Sequence, residues 1–537
     1  MVVNHCVTMR RRSLRRIGIF GWGIVAPRSR NIEAFAKNLE QSESWLGPFD
    51  GFGPNNFLVG TPDFDFGEYK SWIDARFPAN RYTRLVEKMD PTTLQAIATF
   101  VQALGQNEGM EEELQHLGTA AHVYIGTGVG NIPTISRISM ELYRAQRAWD
   151  RFWGDPGMNK ALQNYTSMTP EERPGYVDVP PHPEEVPAAK RDQAEEAWYK
   201  YWTGQSPELQ EYLTTLAEIE GMNVKGTVEA GKMKLIKDKQ RSKQRLQAHW
   251  GAPEPPWECV SPDLIWNIHN TPASQVSMMG RIHGLSMAPV AACSTFGVCL
   301  KLGIDAIRRG EARAVVVGAT DPPPTALLVG AFYRAHVSAA DGAVSKPLTG
   351  LRGTHVSGGS VLWIIGDYEY MIEKGFQPVG MEPMAVGVSS DADHIITPSK
   401  EGPRLAVNQA FENAQVSPEM VSTWDLHATA TPGDFLEMEN LLEVVPDSVL
   451  VTARKGTFGH GMSAGGGWEL TAQYLGYERG ALYPTPLSKE ELNTEIGRLH
   501  DRFVYDASCP PPDGVAGKLS MGIGGINACV ISKPLDL

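Results

Sequence analysis

Apolar runs too short to cross a bilayer recur along the chain, at 17–25, 121–125, 314–317, 361–365 and 528–531, with amphipathic helical patterns between several of them. Runs that are apolar on successive residues are buried on both faces, so they belong to sheets covered by helices. This predicts an α/β fold. Helices are expected at 32–39 and from Asp90-Pro91, an acid and a proline suited to an N-cap and first turn, through Leu94, Ile97, Ala98 and Val101 to Leu104. The run 17–25 follows Arg10, Arg11, Arg12, Arg15 and Arg16 and superficially resembles a signal peptide. Its length, its Gly18, Gly21 and Gly23 and its end at Pro27 favour a buried first strand.

With 537 residues, 42% hydrophobic and 21% charged, the chain has room for several domains and is neither disordered nor fibrous. A net charge of −13 argues against nucleic acid as a general partner. No segment reaches the roughly 18 consecutive apolar residues of a membrane helix, so no membrane association is expected. Cys6, Cys259, Cys293, Cys299, Cys509 and Cys529 form no CxxC pair. That pattern predicts a reducing, cytoplasmic setting and no cysteine-based zinc site.

Residues 145–257 differ in texture, holding many of the tryptophans, the proline clusters at 179–183 and 253–256, and highly charged helical stretches. They read as an insertion bounded by proline-rich hinges. Within it, Lys232, Lys234, Lys237, Lys239, Arg241, Lys243 and Arg245 are interrupted by one acid, Asp238. A solvated helix face is the ordinary explanation, and a docking patch for an acidic partner is the alternative. The loop Gly126-Thr127-Gly128-Val129-Gly130 lacks the spacing, helix and following acid of a dinucleotide site, so a tight turn is expected.

The chemistry-bearing residues lie in four segments. Ala291-Ala292-Cys293-Ser294-Thr295-Phe296-Gly297 puts a cysteine between a short apolar strand and a helix marked by Phe296, Leu300, Ile304 and Ile307 and stopped at Arg308-Arg309-Gly310. Unpaired N–H groups and the helix dipole favour a thiolate there, although a buried structural cysteine fits these residues equally well. Trp424-Asp425-Leu426-His427-Ala428-Thr429-Ala430-Thr431-Pro432-Gly433-Asp434 places a histidine directly after a strand and before a hydroxyl-rich turn. Lys455-Gly456-Thr457-Phe458-Gly459-His460 follows, and Met521-Gly522-Ile523-Gly524-Gly525-Ile526-Asn527-Ala528 comes late. Singly, each histidine is more often structural than catalytic.

In order, the four segments resemble the beta-ketoacyl synthases of the thiolase superfamily, condensing enzymes of fatty-acid and polyketide synthesis. That family carries a cysteine elbow, a histidine in H-G-T-G/S-T, K-x-x-x-G-H, and a late G-F-G-G-x-N-A. The resemblance implies a five-layered αβαβα fold of two similar halves, here 16–370, interrupted by the 145–257 insertion, and 371–537, after a basic extension at 1–15. It implies a decarboxylative Claisen condensation in which Cys293 carries the acyl group and His427 and His460 donate to the enolate oxygen. Lys455 then orders the site electrostatically. The N–H groups of Cys293 and Ile523 form an oxyanion hole, and Thr429 and Thr431 bind the phosphopantetheine arm. No metal or resident cofactor is implied, because pantetheine arrives on acyl carrier protein or coenzyme A. A homodimer is implied as well. The alternatives are an initiating synthase that takes a short acyl-CoA and a non-catalytic partner like a chain-length factor. This chain departs from the family at Ile523, where phenylalanine is usual, in a turn after His427 that is one residue shorter, and at Arg352-Gly353-Thr354-His355-Val356-Ser357-Gly358-Gly359, where R-D-G-F-V-x-G-E is typical. His355 is expected to be structural rather than an extra catalyst.

Overall fold

The computed structural model describes residues 15–169, 173, 176–223, 228–395 and 399–535, so the basic extension lies outside the described residues except for Arg15. Two compact units result, one of Met1–Pro133 with Ile265–Leu537 and one of Thr134–Leu264.

The larger unit is built on a repeat. Its first sheet uses β1 (Ile17–Val25), β2 (Ala121–Gly126), β3 (Ser286–Met287), β4 (Ala314–Asp321) and β5 (Gly359–Asp367), in the order β1-β5-β4-β2-β3. Its second uses β6 (Met381–Ser390), β7 (Val421–Asp425), β8 (Leu450–Thr452), β9 (Val515–Gly522) and β10 (Ile526–Pro534), in the order β6-β10-β9-β7-β8. The strand senses match as well: in each sheet the first, fifth and fourth strands pair antiparallel, and the fourth, second and third run parallel. Residues 368–380 join the two halves.

Helices α1 (Pro91–Leu104), α2 (Thr295–Arg309), α3 (Glu401–Ala414), α4 (Gly433–Leu442) and α5 (Met462–Glu478) complete five layers. Between the sheets, Phe296, Leu300, Ile304 and Ile307 of α2 and Trp468, Leu470 and Tyr474 of α5 share one core with Ile19, Val317, Trp363 and Val530. The outer face of the first sheet packs on Ile97 and Phe100 of α1, and that of the second on Val407 and Phe411 of α3. The expected helix starts and stops are present: Asp90 caps α1 by accepting the N–H of Thr92, and Gly310 ends α2 at φ 79°.

In β1, Ile17, Ile19, Trp22 and Ile24 all face the central core despite the change from odd to even numbering. A register shift between Ile19 and Gly21 accounts for this, turning Phe20 to the outer core. The glycines permit α1 to lie directly on the strand, since a Cβ at Gly23 would stand 2.0 Å from the carbonyl oxygen of Thr99.

The smaller unit is helical, with Ile132–Trp153, Lys160–Ser167, Arg191–Gln205, Pro207–Glu220 and Val228–Trp250. Its bounds are wider than the 145–257 stretch because the first helix begins before the composition changes. Aromatic residues fill its interior: Trp149, Trp153 and Tyr212 centre one cluster, and Trp198 and Trp202 another. On its last helix Lys239 and Lys243 pair with Glu220, and Lys243 also pairs with Glu258, while Lys232, Lys234, Lys237, Arg241 and Arg245 are exposed. Among the described residues no helix is long and apolar enough to cross a membrane.

Candidate active site

Cys293 sits on a sharp elbow. The strand before it is only the two-residue β3, followed by a single 3₁₀ turn, Ala292–Ser294, that leads into α2. Ala292 adopts φ 48°, a left-handed conformation uncommon for a residue with a side chain and one that marks functional turns. The elbow is braced by its own helix and by the second sheet. Thr295 Oγ1 accepts the N–H of Ala291 at 2.9 Å, and Ser294 Oγ donates to the carbonyls of Ser520 and Ile526 at 3.0 and 2.7 Å.

The resting thiolate expected at this helix start is not what the structure favours. Burial pushes the Cys293 thiol up to about 11, with the N–H of Ile523, the Lys455 ammonium and the residue's own N–H pulling it down. Desolvation of the charged sulfur outweighs the helix start.

His427 follows β7, and its turn is held by carboxylates of α4. Glu437 accepts the N–H groups of His427 and Ala428 at 2.6 and 2.8 Å, and Asp434 accepts those of Thr429 and Leu348, each at 2.8 Å. Burial pushes Glu437 up to about 7 and Asp434 up to about 6. Ala430 takes φ 60° in this shortened turn. His460 lies just before α5, and its Nδ1 accepts the N–H of Met462 at 3.2 Å, which leaves Nε2 as the protonated nitrogen. The two imidazoles stand edge to face with centroids 5.5 Å apart. Both are held well below the usual histidine range, first by burial and then by the positive charges of Lys455 and Lys518, so both are neutral at pH 7.

Cys293, His427, His460, Thr429, Thr431 and Ile523 line one cleft of about 280 Å³, joined by Phe332, Val337, Asp391 and Asn527. The hydroxyls of Thr429 and Thr431 are 2.9 Å apart, and Ile523 is 46% exposed. Lys455 stands behind the cleft, its ammonium donating to the His427 carbonyl and to Glu469 Oε1. His355 is an anchor: its Nε2 accepts the Ser345 N–H at 2.7 Å, its carbonyl accepts the His460 N–H at 2.7 Å, and burial lowers it to about 4. The glycine loop after β2 wraps a buried carboxylate, with Gly128 and Val129 donating to Asp321.

Sequence reasoning missed three features. Asp391 links to Asn527 at 2.7 Å and accepts the N–H of Ser399, latching the loop that bears Ile523. Glu469, the counter-ion of Lys455, is fully buried in α5, where one acid amid the otherwise uncharged stretch 462–477 is the available signal. Asp425, Arg454 and Lys518 are buried beside it, and no local pattern points to their meeting.

Comparison with known proteins follows the same segments. The family described as Beta-ketoacyl synthase, N-terminal domain matches residues 237–363, and Beta-ketoacyl synthase, C-terminal domain matches residues 382–487. A chloroplastic 3-oxoacyl-[acyl-carrier-protein] synthase I of Arabidopsis thaliana is 29% identical over 48% of this chain and 55% of its own length. Nodulation protein E of Rhizobium meliloti is 26% identical over 41% of the chain and 55% of its own length. The chain thus spans just over half the length of these relatives. The 3-oxoacyl-[acyl-carrier-protein] synthase 2 of Rhizobium meliloti (strain 1021) is 26% identical over 51% of the chain and 67% of its own length. Among solved structures, the ishigamide ketosynthase/chain length factor superposes with a TM-score of 0.67 at 17% identity, covering 97% of this chain and all of that one. A type II PKS ketosynthase bound to the hexaketide, in complex with its acyl-carrier protein, gives a TM-score of 0.61 at 15% identity over the same shares. With this fold, and with both family domains matched in order around the elbow and the two histidines, the chain is similar to the beta-ketoacyl synthases.

Proposed function

We propose that the protein is an acyltransferase that condenses an acyl group held on Cys293 with malonyl on acyl carrier protein, in fatty-acid or polyketide biosynthesis. The observation that carries this reading is the meeting of Cys293, His427 and His460 in one cleft, with the N–H of Ile523 at the sulfur. In the first step the Cys293 sulfur attacks the acyl thioester carbonyl, the two backbone N–H groups receive the oxyanion, and the carrier thiol departs with the proton. In the second, malonyl thioester loses carbon dioxide and its electron pair moves into an enolate. Its oxygen accepts from His460 Nε2–H and from His427. The enolate carbon then attacks the acyl carbon, the bond to Cys293 breaks, and the thiol returns with a proton from solvent. Thr429 and Thr431 bind the pantetheine arm at the cleft wall, and Lys455 fixes the backbone of His427. Steady-state condensation assays across acyl chain lengths, on carrier protein and on coenzyme A, test the reading. No product with any donor would remove it.

Ile523 at the cleft lip, smaller than the usual phenylalanine, favours an initiating synthase fed by short acyl-CoA as the second reading. A donor preference for acyl-CoA in the same assay would select it. A folded protein without condensation would leave a chain-length-factor-like scaffold.

Carrier docking on the basic helix rests on Lys232, Lys234, Lys237, Arg241 and Arg245, which remain exposed. Neutralising Lys237 and Arg241 should raise KM for carrier-bound substrate and spare small thioesters. Equal effects on both would remove the docking role. A homodimer would form along β3, an edge strand flanked by exposed Leu285 and Val290. Sedimentation of a monomer at micromolar concentration would contradict it. A reducing, cytoplasmic setting accords with Cys259, Cys293, Cys299, Cys509 and Cys529 being unpaired.

A further inference from the structure

Behind the two histidines lies a chain of buried charges of which the proposed reaction uses only one member. Lys455 donates to Glu469 Oε1 at 2.5 Å, Lys518 Nζ lies 2.7 Å from Glu469 Oε2, Lys518 is 3.7 Å from Asp425, and Arg454 Nε donates to Asp425 Oδ2 at 3.0 Å. All five side chains are at most 3% exposed. Buried ion pairs of this kind gain little stability over apolar packing, because each ion loses its hydration. A second lysine on β9 therefore calls for another explanation.

Two geometric facts supply one. The ammonium of Lys455 donates to the carbonyl of His427, while that of Lys518 donates to the preceding carbonyl, Leu426, at 3.2 Å, and to Leu519 at 2.7 Å. The two lysines thus hold consecutive peptide groups at His427 from opposite oxygens of one carboxylate. Lys455, Lys518 and Arg454 also form one chain with Glu469 and Asp425, and Lys518 bears on Glu437 as well. Around the imidazoles the other ionisable groups are Glu437 and Asp434 on α4, whose carboxylates are engaged by backbone N–H groups, and Cys293 with Asp321 on the first-half side.

We propose that Lys518 is a positioning residue for His427: with Lys455 it clamps Glu469, pins the Leu426–His427 backbone, and places a second ammonium behind both imidazoles. The role rests on the condensing reading above. Burial first, then the charges of Lys455 and Lys518, disfavour the imidazolium form at both histidines, which enter the reaction as neutral N–H donors. An enolate forming in the cleft meets two ammonium groups already held in place behind the imidazoles, which stabilise it without any rearrangement.

The test is Lys518→Met, which removes the second ammonium and its contact with the Leu426 carbonyl while keeping an apolar stem of similar length. Histidine ring signals followed by NMR from pH 5 to 9 report on the network without any need for activity. In the wild-type protein His427 and His460 should not titrate in this range. In Lys518→Met at least one should titrate with its midpoint raised by about one pH unit or more, and malonyl decarboxylation should fall about tenfold in kcat with KM unchanged. Lys518→Arg keeps the charge, so its histidines should remain silent and most of the activity should return. A folded Lys518→Met with silent histidines would overturn the proposal. So would histidines that titrate in Lys518→Arg, which decides the matter even if Lys518→Met does not fold. Absent decarboxylation in the wild-type protein would instead overturn the condensing reading and leave the titration result standing.

Discussion

The two halves of the larger unit share one strand order and differ in what they bury. In the first, β4 runs through Ala314, Val315, Val316, Val317 and Ala319 between apolar cores on both faces, and its central helix α2 begins at the cysteine elbow. In the second, β9 and β7 bury Lys518 and Asp425, the central helix α5 buries Glu469, and His460 stands at its start. Equivalent positions thus carry Cys293 in one half and His460 in the other. The apolar half can hold the elbow rigidly. The charged half sets the potential at the imidazoles. On the proposed reaction, the duplicated scaffold separates the covalent step from the electrostatic one.

Disabling one half at a time breaks this division most directly. Cys293→Ala should lower condensation by about 10³-fold or more while malonyl decarboxylation persists, because only the first half is affected. Parallel product and carbon dioxide assays check it, and loss of both activities would merge the halves' roles. His460→Ala and His427→Ala should each lower decarboxylation by about 10²- to 10³-fold and leave acylation of Cys293 detectable. Stopped-flow decarboxylation with intact-protein mass measurement reads both.

A smaller effect sharpens the picture of the first half. Since burial holds the Cys293 thiol at about 11, its thiolate is scarce at pH 7 and grows as pH rises. Alkylation of Cys293 by iodoacetamide should accelerate about tenfold per pH unit from 7 to 10. A plateau below pH 8 would show an ionised resting sulfur. The raised value also means that the folded state holds this proton longer than the unfolded chain, so this group's contribution to stability declines as pH rises through 9 to 11. The smallest effect is expected from Ile523→Phe at the lip of the cleft, a change of about tenfold or less in the ratio of kcat/KM between short and long acyl donors. Competition between two donors in one reaction measures it.

The same contrast explains what the sequence makes legible. The strands and α2 are readable because apolar periodicity and caps are local signals, as at Asp90 and Gly310. Cys293, His427, Lys455 and His460 are readable as family motifs, and the structure brings three of them into one cleft with Lys455 behind. The β1 bulge escapes a simple alternation rule, because one extra residue reverses the parity of the strand. Lys518, Asp425, Arg454 and Glu469 escape for a different reason: charged residues are ordinarily exposed, and their pairing depends on strands and a helix far apart in the chain. The favourable electrostatics of the helix start at Cys293 was legible, but the larger cost of burying the sulfur was not.

Peptide mapping by mass spectrometry after incubation with an acyl donor tests the central claim most directly. The account predicts a thioester-linked acyl group on the peptide containing Cys293, removed by hydroxylamine and absent in Cys293→Ala. A condensing preparation with no adduct at Cys293, or with the acyl group on another residue, would contradict it.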